Sequence, residues 1–340
     1  MKKTGVLLIN LGTPDSPSTR DVRKYLTEFL NDPRVIDISA VGRFFLVNGI
    51  IVPFRAPKSA KIYKELWDLW NGESPLLTYG NILKHKLQEK FKDEDVTVEI
   101  AMRYQNPSLD DVLAKMEKVG YDQLVILPLF PHYASSSSGS AMEKALRIIR
   151  KWWAIPDTKV ISNFYDHEGY IDAFVERAKQ NEVSSYDHVI FSYHGLPERQ
   201  IDKVHPDLKC SDCDCDKEFK PDQHLCYRNE CYQTSRLIAN KLNLSESDYT
   251  VSFQSRLGKT PWLTPYSDKV VEDLAKQGMK KLLVFSPAFI ADCLETSVEI
   301  GVEYQEIFEE HGGEKVQLVE SLNDSPIWID TVEDLVRREI

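Results

Sequence analysis

Apolar positions along the chain follow two alternating rhythms. Continuous apolar runs at 6–14, 96–102, 124–132, 159–164, 189–194, 250–254 and 281–285 have the character of strands covered on both faces. Between them, apolar residues recur three and four positions apart. The first such stretch follows Ser18 or Asp15 as cap, carries Val22, Leu26 and Phe29, and is ended by the Asn-Asp-Pro at 31–33. Further helices are predicted over 61–70, 81–92, 109–119 and 141–153, from about 170, up to Leu242, over 268–277, and as a long acidic helix from Asp292. Strands alternating with helices predict an α/β fold with parallel, helix-covered sheets. The halves also echo one another. NLGTP (10–14) resembles YHGLP (193–197), and GYDQLVILP (120–128) resembles GMKKLLVFSP (278–287). Two similar lobes facing each other across a cleft are expected, one from 1–158 with 323–340 and the other from 159–322.

One apolar stretch fits neither rhythm. Residues 41–55 (VGRFFLVNGIIVPFR) are too short to span a bilayer and are flanked by Arg43, Arg55 and Lys58. Such a segment is either a core helix or an apolar lip that touches a greasy ligand or a membrane surface.

At 340 residues, with 42% apolar and 28% charged residues, the composition is that of a globular protein with two domains. A net charge of −11 argues against a general nucleic-acid binder, which needs clustered Lys and Arg. The opening residues lead into a strand with no signal-peptide core, so a cytoplasmic location is expected. Five of the six cysteines (Cys210, Cys213, Cys215, Cys226 and Cys231) fall in one segment, and Cys293 stands apart. Without an export signal, such clustering points to metal ligation before disulfides.

Candidate chemistry collects at predicted strand ends, where ligands bind in open α/β sheets. The strand at 189–194 breaks at Gly195 and Pro197 and carries His194 at the break, either as a catalytic imidazole or as a ring bonded to a nearby carbonyl. Asp292, Glu295, Glu299 and Glu303 are spaced three, four and four apart, which places them along one helix face. That stripe is either a solvated acidic face or a set of like charges relieved by a proton or metal cation. A Ser-rich loop, 135–140, opens a helix and suits an anion. Neither a Walker motif nor G-x-G-x-x-G is present, which counts against a nucleotide enzyme.

Taken in order, LGTP (11–14), DPRV (32–35), GESP (72–75), Arg103-Tyr104, SYHGLP (192–197), QSRLG (254–258), Pro261-Trp262 and DCLET (292–296) resemble the ferrochelatases. These enzymes insert ferrous iron into protoporphyrin IX, and the likeness runs from Val6 to about Leu322. It implies two Rossmann-like lobes with parallel four-stranded sheets, class II chelatase-like, with the active-site cleft between them. It further implies that His194 faces the porphyrin centre with Glu295 opposite, and that Asp292 and Glu299 extend a path for iron or protons. Arg55, Trp67, Ser74, Arg103 and Tyr104 match positions near the porphyrin. His132, with Tyr133 beside it, matches a metal-binding histidine of some relatives. Leu11 stands where relatives carry Met or Tyr facing the ring, and Cys293 where animal members have histidine. The internal cysteine segment resembles that of bacterial members which bind a [2Fe–2S] cluster there. The spacings C-x2-C and C-x4-C also suit structural zinc. Other members metallate coproporphyrin III, and a non-catalytic tetrapyrrole or iron carrier on the same scaffold is the alternative from another class. The expected partners are protoporphyrin IX and Fe2+, with no nucleic acid, peripheral contact with the inner face of the membrane through 41–55, and a monomer or homodimer.

Overall fold

The computed structural model describes residues 2–340 except Pro206, Leu257 and Lys259, so Leu257 of the QSRLG motif lies outside the described residues. The chain divides into two compact units. Unit 1 comprises Met1–Phe130, Ser135–Ser162 and Ile329–Ile340, and unit 2 comprises Pro131–Ala134 and Asn163–Trp328.

Unit 1 is built on four parallel strands in the order β2-β1-β3-β4: β1 (Thr4–Asn10), β2 (Val96–Met102), β3 (Gln123–Pro128) and β4 (Asp157–Val160). β1 is buried along its whole length and bonds to both β2 and β3, which is why its sequence is continuously apolar. Its helices include α1 (Thr19–Leu30), α2 (Ala40–Phe45), α3 (Val52–Leu69), α4 (Pro75–Lys90), α5 (Leu109–Val119) and α6 (Ser140–Ile149), together with most of a C-terminal helix, Pro326–Arg337. α1 and α5 start at serines, Ser18 and Ser108, whose hydroxyls accept from the N–H groups of Asp21 and Asp111, both acidic residues in the first turn. One core joins Leu7, Ile9, Leu124 and Ile126 to Leu113 of α5 and Ala145 of α6. A second joins Val22 and Leu26 of α1 to Val52 and Ala56 of α3.

The stretch 41–55 is helical throughout. Leu46–Ile51 forms a π-helical turn between α2 and α3, closed by Val52 N–H donating to the Val47 carbonyl five residues back. Its two sequence readings hold on opposite faces. Val47, Val52 and Ala56 pack inward, whereas Val41, Phe44, Phe45, Ile50 and Phe54 face solvent, Phe54 being 73% exposed.

Unit 2 repeats the topology as β6-β5-β7-β8: β5 (His188–His194), β6 (Tyr249–Gln254), β7 (Lys281–Phe285) and β8 (Lys315–Leu318). Its helices are α7 (Glu168–Lys179), α8 (Glu198–Asp202), α9 (Tyr227–Lys241), α10 (Ser267–Lys276) and α11 (Tyr304–Glu310). Ile190, Leu282 and Val284 form its core with Val271 and Leu274 of α10 and Phe308 of α11.

The echoed turns share a physical cause. Gly12 follows β1 with φ +108°, and a Cβ there would sit 1.9 Å from the Tyr104 carbonyl oxygen. Gly195 follows β5, and a Cβ there would sit 2.8 Å from the Gln254 carbonyl oxygen, which already accepts from the Gly195 N–H. In each unit the first strand's exit brushes the backbone leaving the neighbouring strand, which leaves room only for glycine.

The Ser-rich stretch departs from expectation. Ser135–Gly139 is itself a π-helical turn running into α6, so it is helix rather than open loop. Two of its hydroxyls are committed within unit 1: Ser135 Oγ accepts from Arg34 Nη1 at 2.9 Å, and Ser140 Oγ donates to Asp32 Oδ2 at 2.5 Å.

Candidate active site

Parallel strands bring their carboxyl ends to one edge of the unit 2 sheet. His194 is the last residue of β5 and sits opposite Gln254, the last of β6. Its Nδ1 lies 2.7 Å from the Gly195 carbonyl oxygen. A carbonyl can only accept, so Nδ1 carries a proton and Nε2 is the nitrogen left to serve as base or metal ligand. The carbonyl-bonded histidine and the catalytic imidazole are therefore compatible readings, because the bond fixes the tautomer a base or metal ligand needs. Tyr227, in the first turn of α9, donates its hydroxyl to the His194 backbone carbonyl at 2.8 Å.

The acidic segment follows β7. Glu295–Glu303 is π-helical rather than α-helical, closed by Tyr304 N–H donating to the Glu299 carbonyl. A π turn takes in one more residue than an α turn, so side chains four apart still fall on one face. The carboxylates differ in setting. Asp292 is buried before the π-helix, where Thr296 Oγ1 donates to Oδ1 at 3.2 Å and Asn323 Nδ2 to Oδ2 at 2.7 Å. Glu295 is half-buried, Glu299 accepts from Ser255 Oγ at 2.6 Å, and Glu303 is exposed. Ser255, immediately past β6, and Asn323 come from other parts of unit 2. The carboxylate spacing gave no signal for either, although Ser255 lies within the QSRLG motif.

His132 also belongs to unit 2 and is 2% exposed. The Thr234 hydroxyl donates its single proton to the Tyr165 carbonyl, so His132 Nε2, 2.9 Å from Thr234 Oγ1, must be the donor. Burial pushes the His132 pKa down to about 3, keeping the ring neutral, and Tyr170, Tyr193 and Tyr227 meet it edge-on. The Tyr133 backbone N–H donates to buried Glu230 at 2.6 Å.

The remaining predicted residues lie in unit 1. Arg55 is exposed, and Trp67 is buried edge-to-face with Tyr63. Ser74 is buried at the start of α4, and its hydroxyl has no partner among the described residues. Arg103 and Tyr104 converge on Asp32 within 2.5 and 2.9 Å, and Arg103 Nε also donates to Ser140 Oγ at 2.7 Å.

The cysteine segment is fastened to α9 by side chains that satisfy its carbonyls. Arg228 donates to the Cys210 and Cys213 carbonyls, Arg236 to those of Cys215 and Asp216, and Asn229 to that of Lys220. Cys210, Cys215, Cys226 and Cys231 are buried, and Cys213 is partly so. Contact with the Cys226 thiol, then burial, raises the Cys215 pKa; burial pushes Cys210 up to about 12, opposed by Arg228. Among the described residues, no three His, Cys, Asp or Glu side chains form a group ready to hold a metal ion. Nor is any described helix long and apolar enough to cross a membrane.

Comparison with known proteins agrees with this arrangement. The fold is similar to that of SirB from Bacillus subtilis, solved with Fe3+, at a TM-score of 0.56 and 11% identity, covering 99% of this chain and 95% of that one. A ferrochelatase of Legionella pneumophila (strain Paris) is 44% identical, covering 99% of this chain and all of the relative. One from Coxiella burnetii (strain Dugway 5J108-111) is 42% identical, covering 99% and 94%. The ferrochelatase family model matches residues 3–340. The chain therefore belongs to the ferrochelatase family, enzymes that insert ferrous iron into a porphyrin.

Proposed function

We propose that the porphyrin is protoporphyrin IX and that His194 and Glu295 act at its centre. The observation that carries this reading is the His194 tautomer: with Nδ1–H committed to the Gly195 carbonyl, Nε2 is free to accept. Insertion of Fe2+ displaces two pyrrole protons, so a base of near-neutral pKa must reach the macrocycle. His194 Nε2 takes one proton. Glu295 serves as the carboxylate partner that receives iron or the second proton. Asp292, bonded by Asn323 and Thr296, and Glu299, bonded by Ser255, extend the path for iron or protons. In unit 1, exposed Arg55 pairs with a propionate, the unpartnered Ser74 hydroxyl bonds the ligand, and Trp67 supplies apolar wall. Arg103 and Tyr104, both bonded to Asp32, complete the set of unit 1 residues assigned to the porphyrin. In unit 2, His132 acts by packing against Tyr193 and Tyr227, which adjoin His194, and Tyr133 follows it in the chain. The apolar face of 41–55, with Arg43, Arg55 and Lys58, rests on the inner face of the cytoplasmic membrane.

Anaerobic incubation of the purified chain with Fe2+ and either protoporphyrin IX or coproporphyrin III tests the substrate. Faster haem formation with protoporphyrin supports the reading, and a preference for coproporphyrin overturns it.

The cysteine segment suits a [2Fe–2S] cluster in its donor chemistry. Its thiols are soft ligands, mostly buried, Cys215 touches both Cys213 and Cys226, and the Arg228 guanidinium favours the thiolates. Four of Cys210, Cys213, Cys215, Cys226 and Cys231 would hold it. The cluster's contribution would be structural or sensory, because insertion itself involves no change of redox state. Visible absorption with iron and zinc analysis of freshly purified protein decides: a coloured, iron-loaded protein supports the cluster, and a colourless zinc-loaded one refutes it.

A further inference from the structure

Asp292 is gripped at two points by a single side chain from far along the chain. Asn323 lies past β8, 31 residues downstream, and is buried. Its amide nitrogen donates to Asp292 Oδ2 at 2.7 Å, and its amide oxygen accepts from the Asp292 backbone N–H at 2.9 Å. The same nitrogen reaches Glu320 Oε1 at 3.2 Å, and the Asn323 N–H donates to the Ile290 carbonyl at 2.8 Å. Thr296 Oγ1, within the π-helix, bonds the other carboxylate oxygen.

A carboxamide has a donor and an acceptor on one planar group, which is what gripping both a carboxylate and its own backbone N–H requires. A carboxylate in its place would keep the acceptor but set two anionic groups against each other. We propose that Asn323 is a positioning residue for iron insertion, fixing the orientation of the Asp292 carboxylate at the entrance to the π-helix that carries Glu295 and Glu299. This rests on the reading of Asp292 as part of the acidic path. The grip clamps the start of the π-helix to the exit of β8, so the carboxylate's direction does not depend on the π-helix alone.

A purely backbone explanation for this residue also exists, because Asn323 has φ +48°, a left-handed conformation in which Asn and Asp are enriched and Gly is at ease. The test separates the two. Asn323→Asp and Asn323→Gly both tolerate that φ, but the first removes the donor and the second removes the whole grip. The full-length protein is assayed for Fe2+ insertion with Fe2+ and porphyrin varied separately, alongside Asp292→Asn. Losing a hydrogen bond to a charged group is expected to raise KM for Fe2+ about tenfold or more in both Asn323 variants. KM for the porphyrin should stay within about twofold, and Asp292→Asn should show the same split. Wild-type KM for Fe2+ in Asn323→Gly, or an equal rise in both KM values, overturns the proposal. If Asp292→Asn has wild-type kinetics, the acidic-path reading falls as well. If only Asp292→Asn is impaired, that reading stands and the positioning role of Asn323 alone is lost. Should Asn323→Asp fail to fold, Asn323→Gly decides by the same criteria.

Discussion

Replacing Asp32 by Ala should be among the most damaging single changes in unit 1. Its carboxylate accepts from Arg103 Nη2 at 2.5 Å, Ser140 Oγ at 2.5 Å, Tyr104 OH at 2.9 Å and the Arg34 backbone N–H at 2.7 Å. The Arg103 and Asp32 side chains are 9% and 3% exposed, so removing the acid strands a buried guanidinium and three neutral donors. Breaking a buried pair on one side costs about 3–5 kcal/mol, a large part of the roughly 5–15 kcal/mol that holds a domain folded. At about 2–4 °C per kcal/mol for a unit of this size, Tm should fall by about 6–20 °C. The charge left behind is the main penalty, so Asp32→Ala with Arg103→Met should recover most of the loss. The pH dependence has a definite sign. Burial alone would raise the Asp32 pKa, but the bonds from Ser140 and Arg34 and the charge of Arg103 outweigh it and leave the pKa lowered. A lowered folded pKa means the stabilisation is complete above the unfolded value of about 3.9 and is lost as pH falls through the folded value. Urea titrations of wild type and Asp32→Asn should therefore diverge at neutral pH and converge below about pH 4. A loss under about 1 kcal/mol in Asp32→Ala, or a gap that is constant from pH 7 to pH 3, would refute the reasoning.

Other outcomes follow from single contacts. Gly12→Ala forces a Cβ into the Tyr104 carbonyl at positive φ, so soluble expression should collapse; a variant unfolding within about 1 kcal/mol of wild type contradicts that geometry. Tyr227→Phe removes the bond to the His194 carbonyl, worth about 0.5–1.5 kcal/mol, so kcat should drop several-fold with little change in Tm, and unchanged kcat would deny the link. Phe45→Ser with Phe54→Ser should weaken sedimentation with anionic vesicles at least about tenfold, because each buried ring contributes about 1.5–3 kcal/mol. Equal sedimentation of variant and parent argues against docking through this face.

What could be read from sequence tracks what local pattern encodes. The strands 96–102 and 281–285 and the helix 109–119 have the boundaries predicted, since a buried strand and a capped amphipathic helix each declare themselves over a few residues. The parallel, helix-covered sheets and the echo between halves were legible for the same reason, whereas the count of four strands in each sheet came from the family resemblance. β8 was missed: it is a four-residue edge strand, exposed or half-exposed along its length, with no apolar run to mark it. The C-terminal helix Pro326–Arg337 was missed despite its regular apolar spacing. The π-helical turns had no readable signature, because periodicity arguments assume 3.6 residues per turn and the acidic stripe satisfies that template equally well. In the candidate site, His194 and the carboxylates announced themselves, whereas the bonds that Ser255 and Asn323 make to those carboxylates became visible only through packing, since both residues are distant in sequence from them and only Ser255 lies in a motif, QSRLG.

The central claim is that Nε2 of His194 accepts a pyrrole proton as iron enters. Its most direct test is single-turnover Fe2+ insertion by His194→Ala, compared with His194→Gln and wild type, with porphyrin binding measured in parallel by fluorescence quenching. General acid–base catalysis contributes about 10²–10⁴-fold, so both variants should bind porphyrin normally yet insert iron at least about a hundredfold more slowly. Insertion at the wild-type rate by His194→Ala with porphyrin bound would contradict the claim.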